Sequence, residues 1–225
     1  MGLNLLEDSQ ISKDALVDKA RALLQNAIMT GQIPQGHRIN ETTLARQLQI
    51  SRGPIREALA GLTNQGLVVK APNRGVFVIK LTRSDIEELY TLRSMYEVFA
   101  LHYIITHGQP LPYDVLAEII EEIGASATSP NAESETSAAD LRFHLEIIKA
   151  AGLPRLLSAW RDLMPQFQML LYSRNALSSD FRVDIVGAHQ RIIDALKRGD
   201  GNGAEQFLKA HIDASYQKLL ADWEE

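Results

Sequence analysis

A chain of 225 residues with 45% hydrophobic and 23% charged positions is long enough for one large or two ordinary domains with buried cores, and disorder of the whole chain is excluded. The absence of cysteine excludes disulfide frames, thiolate zinc fingers, thiol nucleophiles and redox switches, and it fits a reducing, cytoplasmic home. The net charge of −5 conceals a split: residues 1–80 carry 10 Lys+Arg against 6 Asp+Glu (+4), and residues 81–225 carry 13 against 22 (−9), so the two parts are expected to do different jobs.

The first residues are acidic and lack the Ser/Thr of a myristoylation signal, and no apolar run reaches bilayer length, so neither anchoring nor export is expected. From Asp14 to Gly31, Val17, Ala20, Leu24, Ala27 and Ile28 recur at three- and four-residue steps, which predicts a first helix. After the Pro34 and Gly36 turn, Leu44, Ala45 and Leu48 predict a short second helix over Thr42 to Leu48. A third follows, with Ser51 as N-cap, Pro54 in the first turn, a buried face of Ile55, Leu59 and Leu62, and an end near Gly66. Two short helices joined by a tight turn have the layout of a helix-turn-helix.

Arg52 and Arg56 stand four apart near the start of the third helix, on the side away from Ile55 and Leu59. Guanidinium forks there could read guanine bidentately or clamp phosphates. Residues 66–70 and 76–79 are β-rich runs around the turn-prone 71–75, which predicts a hairpin, or wing, with Arg74 at its tip. Three arginines taken singly are as readily solvated surface residues; their joint placement on helix and wing is what points to DNA.

Through Gly36–Glu41, Leu44–Ala45, Ser51–Leu59, Gly66–Val68 and Asn73–Val78, residues 16 to 79 resemble the GntR family of bacterial transcriptional regulators. The resemblance implies a winged helix-turn-helix in which Arg52 and Arg56 read the major groove, Arg74 and Gly75 enter the minor groove, and Ser51 and Thr42 lie near phosphates. With Pro54, these seven residues are the expected DNA-binding set.

Beyond residue 80 no convincing strand is visible. Thr82 and Asp85 form a capping-box start, and Ile86, Leu89, Leu92, Tyr96, Phe99 and Tyr103 predict a long amphipathic helix up to Gly108. Further helices are predicted over Tyr113–Ala125, Ala138–Ala151, Pro154–Asn175, Phe181–Arg198 and Gly203–Trp223, with Ser126 to Ser137 read as a flexible loop. The expected fold is thus mainly α: a winged helix-turn-helix with a small β-hairpin over 1–81, and an all-helical bundle over 82–225.

Polar side chains pointing into such a bundle can build a ligand or metal site. Asp140 and His144 lie one turn apart on one helix face, His189 falls on a later helix and His211 on the last. One carboxylate and three imidazoles suit a divalent first-row ion such as Zn, Ni or Mn, with positions left over for water or a ligand oxygen. Each histidine alone is more often a surface or hydrogen-bonded core residue. A second resemblance, through Asp85–Arg93, Asp140–His144, His189–Leu196, Gly199–Asp200 and His211, is to the FCD effector domain of the FadR-type GntR subgroup. It implies that Asp140, His144, His189 and His211 hold a metal and that Arg93 faces a small carboxylic-acid effector, although Arg93 could equally pair with Glu97 along its helix. Many relatives have Ala/Ser-Gly-Asn where this chain reads Ala151, Gly152, Leu153 and Pro154, so an effector contact from that asparagine is missing. His37, His102 and His107 have no matching spacing and are read as structural or incidental.

The expected function is a cytoplasmic, metabolite-responsive regulator, a repressor in most relatives of this layout. It would bind a pseudo-palindromic double-stranded DNA operator as a homodimer, without membrane or catalytic activity. Two rival classes stay open at this point. A metalloenzyme would activate water at an open position, but no motif supplies a general base beside the ligands. A structural or metal-sensing module would need no organic ligand.

Overall fold

Two compact units, Met1–Leu81 and Thr82–Glu225, make up the computed structural model, which describes residues 12–126, 129, 132–177 and 181–221. In the first unit, Ser12 caps helix α1 (Lys13–Met29) by accepting a hydrogen bond from the Ala15 amide. Ala20, Leu24 and Ile28 of α1 are buried and pack on helix α3 (Arg52–Asn64), whose own buried face is Pro54, Ile55, Ala58, Leu59 and Leu62. Between them lies α2 (Glu41–Gln47), started by the Asn40 side chain, which accepts from the amides of both Thr42 and Thr43 at 3.0 Å. Ser51 occupies the N-cap of α3 as expected, but its hydroxyl makes no capping bond.

The wing is an antiparallel pair, β2 (Val68–Ala71) and β3 (Gly75–Val78), with Val69 opposite Phe77. The turn between them needs left-handed backbone at Asn73 (φ 58°) and a φ of 107° at Gly75, which favours glycine there. A third strand that the sequence pattern does not reveal, β1 (Arg38–Ile39), pairs with β3 so that Arg38 faces Phe77, giving the order β1-β3-β2. Two residues are too few to show alternation.

The elements of the second unit among the described residues are all helices: α4 (Arg83–His107), α5 (Tyr113–Ser126), α6 (Ala132–Ala150), α7 (Pro154–Leu177), α8 (Phe181–Lys197) and α9 (Gly201–Ala221). The reciprocal Thr82/Asp85 capping box starts α4, and Gly108 at φ 62° ends it. Helix α4 packs on α6, α7 and α9. Its buried stripe is Ile86, Leu89, Tyr90, Arg93, Glu97, Ala100, Leu101 and Ile104. This corrects the expected apolar face, because Phe99 is 51% exposed while a charged pair turns inward.

The loop expected over 126–137 is also corrected. Helix α6 starts at Ala132, and Thr136 and Ser137 are buried against α5. Their small side chains permit close approach, and their polarity is absorbed locally: Ser126 Oγ donates to the Ile123 carbonyl at 2.8 Å and lies 2.6 Å from Thr136 Oγ1. Residues 127, 128, 130 and 131 of that expected loop lie outside the described residues, as do 178–180 and 222–225, on which parts of the expected break between Asn175 and Phe181 and of the last expected helix fall.

Candidate metal centre and nucleic-acid face

Helices α6, α8 and α9 bring Asp140, His144, His189 and His211 together, with one candidate ligand atom from each lying within 4.8 Å of all the others. His144 Nε2 and His211 Nε2 are 3.2 Å apart, and Asp140 Oδ1 is 3.4 Å from His189 Nε2, 3.7 Å from His211 Nε2 and 3.8 Å from His144 Nε2. A tetrahedral ion with bonds of about 2.0–2.1 Å separates its donors by about 3.3 Å, so the spacing fits a first-row divalent ion. His189 Nδ1 faces the Ile185 carbonyl at 2.8 Å and donates to it, which leaves the Nε2 lone pair turned to the cluster. Both Asp140 oxygens and His189 Nε2 are buried without a hydrogen-bond partner, an expensive arrangement that a cation would relieve.

Arg93 stands beside this cluster, 1% exposed. Its Nε donates to Glu97 Oε1 at 2.8 Å, its Nη2 lies 3.6 Å from Asp140 Oδ2, and its guanidinium carbon is 5.5 Å from the centre of the Phe167 ring. Nη1 and Nη2 have no hydrogen-bond partner. Glu97, which the sequence reading weighed only as a helix-surface partner of Arg93, is wholly buried, with Oε2 2.5 Å from His144 Nδ1 and Oε1 3.4 Å from Trp160 Nε1. A groove of about 260 Å³ between α8 and α9 reaches His211 and is bordered by Ile185, Ala188, Arg191, Phe207 and Lys218. The remaining histidines stand apart: His102 Nδ1 is 3.0 Å from Glu205 Oε1, and His107 stacks on Tyr103.

Burial alone would raise the carboxyl pKa values, yet His144 and Arg93 hold Glu97 down at about 2, and His144, His211 and Arg93 hold Asp140 well below the carboxylate range. Burial, with the neighbouring imidazoles, lowers His189 and His211. It also lowers His144, but Glu97 and Asp140 reverse this and leave His144 above its ordinary 6.5. The signs follow. His189 and His211, depressed in the folded chain, contribute stability that is present above 6.5 and lost as pH falls. Glu97 contributes stability present above its unfolded value of 4.5 and lost as pH falls toward about 2, and Asp140 contributes stability present above 3.8 and lost as pH falls well below it. His144 contributes below 6.5 and loses this as pH rises through its folded value. In chelator, the melting temperature is therefore expected to fall on acidification from pH 6.5 to 5, before the carboxylates titrate. Circular dichroism melts across that window check it, and a flat profile contradicts the histidine burial.

In the first unit, Arg52 and Arg56 project from α3 with side chains 62% and 65% exposed, and Glu41 Oε2 lies 3.5 Å from Arg52 Nη2 and 3.8 Å from Arg56 Nε. Thr42 and Ser51 are exposed, as is Arg74, whose guanidinium carbon is 5.9 Å from the centre of the Phe77 ring. A side chain at Gly75 would be strained and would begin 3.2 Å from Arg38 Nε, so Arg38, which lies in the Gly36–Glu41 stretch but is absent from the expected DNA-binding set, joins the wing's basic surface. Pro54 leaves the expected DNA-facing set: it is buried on the Ile55 side of α3.

Among the described residues no helix is long and apolar enough to cross a membrane. Residues 16–78 match the family model "Bacterial regulatory proteins, gntR family", and residues 88–214 match the FCD domain. The chain is 30% identical over 205 residues to the gluconate operon transcriptional repressor of Bacillus subtilis, covering 89% of this chain and 83% of that protein. It is 27% identical over 208 residues to a probable D-xylose utilization operon transcriptional repressor of Paenarthrobacter nicotinovorans, covering 91% and 89%. In fold it is similar to a GntR transcriptional regulator from Rhodococcus sp. RHA1, with TM-score 0.77 and 23% identity over 92% of this chain and 99% of that one. It is likewise similar to McbR/YncC of E. coli, with TM-score 0.76 and 20% identity over 96% and 100%.

Proposed function

From the premise that the chain belongs to the GntR family of bacterial regulators and carries an FCD domain, we propose that this DNA-binding transcriptional regulator is a metabolite-responsive, metal-containing repressor acting as a homodimer on a pseudo-palindromic operator. Its relatives are regulators, not enzymes.

The observation that carries the sensor half of the reading is the buried meeting of Asp140, His144, His189 and His211 with polar atoms left unpartnered. These four would hold the divalent ion, which supplies a Lewis-acidic position for a ligand oxygen. The charges favour an anion as that ligand. With His144 deprotonated, Arg93 and a divalent ion outweigh Glu97 and Asp140 by one positive charge, and a carboxylate restores neutrality. The unpartnered Nη1 and Nη2 of Arg93 are donors suited to such a group. Arg191 and Lys218 border the groove leading to His211, and the gluconate operon named for one relative concerns a sugar acid. Thr42, Ser51, Arg52, Arg56, Arg74 and Gly75 are the DNA-facing residues of this reading. One winged helix offers few base contacts, so two copies are needed. Met95 and Phe99, 61% and 51% exposed on α4, supply apolar surface for their association.

The test is recovery of genomic DNA fragments on the purified, metal-loaded protein with and without small carboxylic acids. The expected result is a discrete set of inverted-repeat fragments whose retention changes with one acid; retention indifferent to every acid would remove the effector from the reading. Binding is also expected to weaken steeply between about 50 and 200 mM salt, through counterion release as basic side chains meet phosphates. Fluorescence anisotropy across that range checks this, and a flat dependence contradicts phosphate contact.

A further inference from the structure

We infer that Glu97 is the positioning residue of the candidate metal centre: its carboxylate fixes His144 with the ring proton on Nδ1, so that the Nε2 lone pair is offered to the ion. The inference rests on the ion-binding reading above and adds a residue that neither the sequence motifs nor the relatives assign. Glu97 Oε2 lies 2.5 Å from His144 Nδ1, and although the two are not aligned as a hydrogen bond, an ionised carboxylate at that distance favours the ring proton on Nδ1 over a bare lone pair there. Once His144 is neutral, Nε2 is left bare, and it is Nε2 that faces His211 and Asp140. His189 reaches the same form through the Ile185 carbonyl, so two imidazoles are oriented by different acceptors toward one point.

The other oxygen makes the role specific. Oε1 receives Arg93 Nε at 2.8 Å and lies 3.4 Å from the Trp160 indole N–H, both groups that can only donate. In Glu97→Gln, an isosteric change, the amide oxygen is held at the Oε1 position by these donors and the NH₂ group falls opposite His144 Nδ1. That NH₂ donates, Nδ1 must accept, and the ring proton moves to Nε2, where an N–H points at the ion's place. Arg93, the shorter of the two contacts, is the main restraint against the amide turning over. In Arg93→Met/Glu97→Gln only the 3.4 Å Trp160 contact remains, so the amide oxygen can turn to His144 in part of the molecules and the ligating form is partly recovered.

The experiment uses the full chain and Zn²⁺ alone, titrated against a competing chelator, with circular dichroism on each variant. Wild type binds stoichiometrically, Glu97→Gln binds about 100-fold more weakly with an unchanged helical spectrum, and Arg93→Met/Glu97→Gln regains about tenfold of that loss. Binding by Glu97→Gln within about threefold of wild type, or no recovery in the double variant, overturns the inference. A measurement on wild type needs no variant to fold: ¹H–¹⁵N spectra of the Zn²⁺-loaded protein are expected to show His144 ligating through Nε2 with a low-field, hydrogen-bonded Nδ1–H. Ligation through Nδ1 overturns it. Failure of wild type to take up Zn²⁺ instead strikes the metal reading itself, which separates the two failures.

Discussion

Replacing His144 and His211 together by alanine is expected to leave the purified protein without a stoichiometric divalent ion on elemental analysis. These rings meet at 3.2 Å between their Nε2 atoms and supply two of the three nitrogens in the cluster; Asp140 and His189 alone cannot close a four-coordinate shell. The double change also removes two stacked, buried rings and leaves Glu97 and Asp140 facing Arg93 without the imidazole that balances them. Cavity and charge effects each cost stability, so helical content must be followed alongside metal content. His211→Ala by itself keeps the Glu97–His144 contact, so it should remain folded and still lose most of the ion. Full metal retention in the folded double variant would falsify the ligand set.

The second large effect is on DNA. Arg52→Ala or Arg56→Ala is expected to weaken binding to a recovered operator fragment by about 1–3 kcal/mol if the missing guanidinium reads a base bidentately. Glu41 sharpens this expectation. It lies within 3.8 Å of both arginines, so removing one leaves the other balanced, whereas removing both leaves a bare carboxylate at the DNA-facing surface. The double variant should therefore lose more than the sum of the single losses. Anisotropy titrations with specific and scrambled duplexes check it. Equal loss on both duplexes would reassign the arginines to phosphates, and no loss would remove them from the interface.

The elements with strong local signals are legible in the sequence: the Thr82/Asp85 capping box, the left-handed stop at Gly108, and the three-and-four spacing of Ala20, Leu24 and Ile28. So are Asp140 and His144, one turn apart on a single helix. What joins them to His189 and His211 is packing among α6, α8 and α9, which spacing cannot supply and which only the family resemblance anticipates. Glu97 shows the limit most sharply. An acid four residues after an arginine ordinarily marks a solvated helix face, and only enclosure by α6, α7 and α9 turns this pair inward while Phe99 turns out. Pro54 fails in the other direction: it lies in a stretch read as contacting DNA, but its helical position places it on the core side. Strand β1 and the start of α6 escape because two residues carry no period and because Thr136 and Ser137 are polar residues spent on burial.

Helix α4 contains neither proline nor glycine in its 25 residues, and it carries Glu97 partway along its length. Such a rod bends little, so its two ends behave as one lever. At 1.5 Å per residue, Arg83 lies about 21 Å from Glu97, and a tilt of about 5° at the inner end sweeps the outer end through about 2 Å. A small tilt about the buried carboxylate is thus enlarged at the Arg83 end of the helix, beside its Thr82 cap.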